Sequence, residues 1–194
     1  DAQNYYQKVL KIEPNNSPTL NNLGAIFKEL GEHQKAKECY EKAIKINPNY
    51  EGAHSNLGGI FQELGLHQSA IECYEKAIKI NPNYVDAHNN LGAIFKELGE
   101  HQKAKECYEK AIKINPNYAD AHNNLGVIFK ELGEKQKAIG CYEKAIEIDP
   151  NHLSAYNNLG IIFKELGEKQ KAIGCCEKAI EIDPNNFNAY NNLG

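Results

Sequence analysis

The chain has 194 residues, carries a net charge of −4 with a pI near 6.0, and contains no Arg, Met or Trp, so that every fixed cation is a lysine. A surface without arginine forks or a basic excess is a poor match for nucleic acid, and no apolar run approaches the roughly 20 residues that cross a bilayer. No signal-peptide pattern opens the chain, so a soluble, cytoplasmic protein is expected.

In chain order, one unit returns on a 34-residue step. Residues 1–16 hold only the second helix of a unit. Complete copies then run 17–50, 51–84, 85–118, 119–152 and 153–186, and 187–194 begin another first helix. The segment 21–50, NNLGAIFKELGEHQKAKECYEKAIKINPNY, recurs unchanged at 89–118, and Gly24, Gly58, Gly92, Gly126, Gly160 and Gly194 mark the step. A fixed period of this length means that each copy packs mainly on its neighbours, so the chain reads as one continuous array.

Within the copy at 85–118, Leu91, Gly92, Ile94, Phe95 and Leu98 recur at helical spacing, and Gly99 is expected to cap the helix in the left-handed region. A second helix is predicted from His101 to Ile114 with Ala104, Cys107, Tyr108, Ala111 and Ile112 on its apolar side, ended by Asn115-Pro116-Asn117. Gly92 in a helix interior costs about 1 kcal/mol against Ala, which predicts another backbone passing close to it. Glu38 with Lys42 and Glu41 with Lys45, repeated in later copies, predict ion pairs on an exposed outer face. Gly140, Gly174 and Cys176, which stands where earlier copies have Tyr, predict weaker last copies.

The spacing of Leu91-Gly92, Phe95, Ala104, Tyr108, Ala111 and Pro116 resembles the tetratricopeptide repeat signature over essentially the whole chain. That resemblance implies an all-α fold: a right-handed superhelical solenoid of antiparallel helix pairs, with first helices lining a concave groove and second helices the convex side. The chain departs from the family where Trp is usual, with Leu20, His54, His88, His122, Tyr156 and Tyr190, and looser packing is expected there.

On this resemblance, two columns of amides line the groove. Asn21, Asn89, Asn123 and Asn157, with Ser55, form one, and Asn22, Asn56, Asn90, Asn124 and Asn158 the other, with Lys96 and Lys130 nearby and Ala25, Gly59, Ala93, Val127 and Ile161 between. An Asn amide both donates and accepts, so it can satisfy the backbone of a passing peptide without reading its side chains. The ladder resembles the peptide-holding asparagines of O-linked N-acetylglucosamine transferases. The alternative is that Asn before Leu-Gly serves structure alone.

Other chemistry is not expected. The six cysteines fall mostly at one repeat position, where stacking separates them by about 10 Å, so free, buried thiols are predicted. His54, His88 and His122 lie one repeat apart, as do His33, His67 and His101, too far for one metal ion. No phosphate loop, nucleophile elbow or HExxH stretch is present. The expected function is a non-catalytic scaffold, without cofactor, for a protein or peptide partner. Substrate recruitment for a larger, glycosyltransferase-like enzyme is the alternative, and end-to-end self-association is a third reading.

Overall fold

The computed structural model describes residues 2–193, so that Asp1 and Gly194, the last of the period-marking glycines, lie outside it. Twelve helices and no strands are found among the described residues: α1 (Ala2–Ile12), α2 (Ser17–Glu29), α3 (His33–Ile46), α4 (Glu51–Glu63), α5 (His67–Ile80), α6 (Val85–Glu97), α7 (His101–Ile114), α8 (Ala119–Glu131), α9 (Lys135–Ile148), α10 (Leu153–Glu165), α11 (Lys169–Ile182) and α12 (Phe187–Leu193). The second-helix bounds expected for the copy at 85–118 are those of α7. The chain divides into two units, Asp1–Leu98 and Gly99–Gly194.

Each unit is built by the same two packings. First helix pairs with second helix inside a repeat, as α2 with α3, α4 with α5, α8 with α9 and α10 with α11. Each second helix then packs on the next first helix, as α3 on α4, α5 on α6, α7 on α8, α9 on α10 and α11 on α12. First helices also touch first helices, α2 with α4 and α4 with α6 in one unit, α8 with α10 and α10 with α12 in the other. Within each unit no comparable contact joins successive second helices among the described residues. Each unit is therefore narrower on its first-helix side.

The turn inside each repeat has a defined cause. In the first complete copy the N–H of Gly31 donates to Lys28 O at 2.9 Å and that of Glu32 to Phe27 O at 2.8 Å. This is the two-bond Schellman closure of a helix end, which needs a left-handed residue, and Gly31, Gly65, Gly99, Gly133 and Gly167 supply it with φ between 71° and 78°. Between repeats, the N–H of Asn49, Asn83 and Asn117 donates to the side chain of Asn47, Asn81 and Asn115 at 3.1–3.2 Å. The proline between the two asparagines keeps the first one extended and stops the helix.

The period-marking glycines differ from expectation in one respect. A Cβ placed on Gly24, Gly58 or Gly126 would meet not a backbone but the ring of Tyr40, Tyr74 or Tyr142, at 2.6, 2.9 and 2.6 Å. Those tyrosines are at most 1% exposed, so each ring is clamped between a helix without a side chain and the rest of the core. Ala36, Ala43, Ala70, Ala77, Ala138 and Ala145 are wholly buried on the second helices, where a larger side chain would hold the helices apart. At Gly160 the place of the ring is taken by Cys176, and an added Cβ would lie 3.4 Å from Cys175 Cβ and 3.5 Å from Cys176 Sγ, an ordinary contact.

Two further expectations change. Four of the six positions lacking Trp are tied to the preceding loop: the Nε2 of His54, His88 and His122 donates to the carbonyl of Pro48, Pro82 and Pro116 at 2.9–3.0 Å, and Tyr190 Oη to Pro184 at 3.2 Å. On the outer face Glu38, Glu72 and Glu106 accept from Gln34, Gln68 and Gln102 at 2.8–3.1 Å, while Lys37 pairs with Glu41 at 3.7 Å and Lys105 with Glu109 at 3.8 Å. A glutamine one turn earlier competes for the glutamate that was expected to reach forward.

The residue before each first helix also varies. Asn16 and Asn186 accept from the N–H of Thr19 and Ala189 at 2.9 and 3.1 Å, whereas Tyr50, Tyr84 and Tyr118 make no such side-chain bond. His152, 9% exposed, caps α10 through Nδ1, which accepts from Ala155 at 3.2 Å, and its Nε2 lies 3.2 Å from Asp120 Oδ1. The hydrogen bond with Asp120 raises the pKa of His152 against the opposing effect of burial, and the same bond lowers that of Asp120.

Two tests follow from this packing. Gly140 and Gly174 have nothing within 4 Å of an added Cβ, so Gly140→Ala and Gly174→Ala should each stabilise by about 1 kcal/mol in urea unfolding, while Gly126→Ala should destabilise. A histidine whose folded pKa is raised contributes stability that is complete below its unfolded pKa, about 6.5, and is lost as pH rises through the folded value. The imidazolium gives up Nδ1 as a cap acceptor in exchange for its bond with Asp120, and the raised pKa makes that exchange favourable, so His152→Asn should lose more stability against the parent at pH 5.5 than at pH 8; an equal or reversed difference would contradict the raised pKa.

Candidate functional site

The first helices carry the two asparagine columns, and packing treats the columns differently. Asn21, Asn89 and Asn123 are 9%, 8% and 7% exposed and Ser55 is 4% exposed. Asn157 is half-buried. Within each unit, Asn21, Ser55 and Asn123 turn into the contact between successive first helices. On a single first helix this column lies opposite Leu91 and Phe95, but within each unit the neighbouring first helix occupies part of that side.

The second column crosses to the first. Asn56 Nδ2 donates to Asn21 Oδ1 at 2.9 Å in one unit, and Asn158 Nδ2 to Asn123 Oδ1 at 3.0 Å in the other. Weaker bonds of 3.4 Å run from Asn89 to Asn90, from Asn123 to Asn124 and from Asn186 to Asn157. The amides thus form a stitch from repeat to repeat. Asn22 is exposed and Asn56, Asn90, Asn124 and Asn158 are half-buried, so this second column is what each unit shows on its first-helix face. Beside it lie Ala25, Gly59, Ala93, Val127 and Ile161, all half-buried.

Lys130 does not stand alone on this face. It reaches Glu165 of the following repeat at 3.8 Å, as Lys28 reaches Glu63 at 3.2 Å, and Lys135 approaches Glu165 at 2.8 Å. The Lys135 ammonium, helped by Lys130, holds Glu165 below the ordinary carboxylate range. Nδ1 of His33, His67 and His101 lies 3.1–3.6 Å from Glu63, Glu97 and Glu131. Lys96 is half-buried in the last turn of α6. These pairs are partly exposed, so each contributes on the order of 0–1 kcal/mol, but they cover the far edge of the face with alternating charge.

One place on the face is hollow. Lys28, Gly59, Gln62, Glu63, Tyr74, Asn90 and Glu97 line an open depression of about 430 Å³ in the first unit. Tyr74 Oη donates to Gln62 Oε1 at 3.2 Å, and Gln62 Nε2 donates to Glu97 Oε1 at 2.9 Å. Gln62 is not among the residues expected to bind. Its signal was available, because the other complete copies have Lys28, Lys96, Lys130 and Lys164 at that position.

The cysteines are free thiols. Burial raises all those with a resolved shift, Cys73, Cys141 and Cys175 to about 11, so they stay protonated near neutral pH and are poor nucleophiles. Among the described residues no group of three or more His, Cys, Asp or Glu is placed to hold a metal ion, and no helix is long and apolar enough to cross a membrane.

Comparison with known proteins bears on the fold directly. The tetratricopeptide repeat profile matches residues 17–50, 85–118, 119–152 and 154–186, and a second TPR repeat profile matches 60–99. No curated protein sequence matched the chain. Among solved structures, MamA is 31% identical, with a TM-score of 0.69 and 84% of this chain and 95% of that one covered. YrrB, a TPR protein with an unusual peptide-binding site, is 22% identical, with a TM-score of 0.66 and 96% of each chain covered. The pilF protein of Pseudomonas aeruginosa is 21% identical, with a TM-score of 0.82 and coverage of 89% and 79%. With helix pairs stacked inside each unit and matched repeats along most of its length, the chain belongs to the tetratricopeptide repeat family.

Proposed function

We propose that the chain is a protein–protein interaction scaffold that holds an extended peptide segment along the first-helix face of its repeats. The observation that carries this reading is the second asparagine column, which each unit presents beside side chains no larger than Ile. An Asn side chain has two N–H donors and an acceptor oxygen, so the single bond from Asn56 to Asn21, or from Asn158 to Asn123, leaves capacity for a ligand. Peptide N–H and C=O groups need such partners when they leave water, and the small neighbouring side chains let a main chain come close. YrrB, similar in fold, carries a peptide-binding site of its own, which supports the choice of ligand class.

The two columns give the reading a sharp test. A peptide selected from a random library on the intact chain should bind Asn22→Ala/Asn124→Ala about tenfold more weakly by calorimetry, since each amide contributes roughly 0.5–1.5 kcal/mol. Asn123→Ala should instead lower stability by about 1 kcal/mol, because it removes the acceptor of the bond from Asn158. Unchanged affinity in the double variant would overturn the proposal.

A further inference from the structure

The hollow in the first unit comes from two departures in one repeat. Gly59 stands where the other complete copies have Ala25, Ala93, Val127 and Ile161, and Gln62, one helical turn later, stands where they have lysine. In the second unit, where Val127 holds the place of Gly59, the Tyr142 hydroxyl is buried with no hydrogen-bond partner among the described residues. In the first unit, the corresponding Tyr74 hydroxyl borders the hollow and bonds Gln62.

Charge is missing at the same spot. Lysines 28 and 130 each reach a glutamate one repeat onward, Lys28 to Glu63 and Lys130 to Glu165. Gln62 has the same 35-residue offset from Glu97 and donates a hydrogen bond to it, but brings no charge. His67 Nδ1 lies 3.6 Å from the other carboxylate oxygen. Lys28 and Glu63 balance one another, and Glu97 is the remaining formal charge on the lining. Burial raises the pKa of Tyr74 most, and Glu63 and Glu97 add to it, which agrees with both carboxylates facing the hydroxyl.

We propose that this hollow is a subsite for a cationic side chain, arginine or lysine, of the bound segment, whose charge replaces at Glu97 the one that Lys28 supplies at Glu63. The space directly over Gly59 is held by Lys28 Nζ, 3.3 Å from where a Cβ would stand, so the cationic head lies on the Glu97 side of the hollow and bonds that carboxylate beside Gln62. This deepens the peptide-binding reading and rests on it. The amide columns recur at every repeat, so a segment held by them alone is free to slip by one repeat. A subsite that only one repeat provides fixes the register.

The test uses N-acetyl-arginine methylamide as the probe and backbone amide NMR shifts of the full chain as the readout. Saturable shifts are expected at Gly59 and Glu97, with none from N-acetyl-glutamine methylamide. In Q62K, which restores the lysine of the other repeats and should fold as they do, the affinity should fall at least about tenfold. No saturable shift in the parent, or equal affinity in Q62K, would overturn the subsite. Either failure leaves the peptide-binding reading to its own asparagine test, because Asn22 and Asn124 lie outside the hollow.

Discussion

A glycine pressed on a tyrosine ring sets the geometry of these repeats. The 2.6–2.9 Å left for a Cβ at Gly24, Gly58 and Gly126 is closer than packed carbons approach, so the first helix can meet the ring only with its bare backbone. That contact fixes which side of the first helix turns inward. It also buries Tyr40, Tyr74 and Tyr142 completely enough to serve as the centre of the core between helices. What remains outward on the first helix is then decided: a stitched row of amides, a row of small side chains and a row of cations reaching to the next repeat.

The sequence made much of this legible. A constant step located the helices, and the left-handed glycines and the prolines between asparagines explain why their ends could be placed closely, since each uses a local backbone rule that no distant contact overrides. What the sequence hid was contact between elements. Asn21 and Asn123 lie on the side of an isolated helix away from Leu23 and Leu125, yet are buried because a first helix also packs on the next first helix of its unit. Glu38 looked paired with Lys42, yet Gln34 lies within the same reach and takes the bond. His54, His88 and His122 stand where a larger ring is usual, but their imidazole N–H finds the carbonyl of a loop proline.

Near-identity of the copies gives small exceptions a large effect. The face of each unit is assembled from contacts that are individually weak, so affinity from the amide columns is a sum of similar increments. Within that uniform background Gly59 removes a side chain and Gln62 removes a charge, and both changes fall on one face of α4. The same logic separates His152 from Tyr50, Tyr84 and Tyr118: one substitution brings a helix cap and a hydrogen bond with Asp120 into a single place.

The central claim is that the working face is the first-helix face with its second asparagine column. A spin label on a selected peptide tests it most directly, read through side-chain amide signals of the intact chain. The account predicts broadening of Asn22, Asn56, Asn90, Asn124 and Asn158, with Gln34, Gln68 and Gln102 on the second helices remaining sharp. Broadening of those glutamines with the asparagines left sharp would place the peptide on the opposite face and contradict the account.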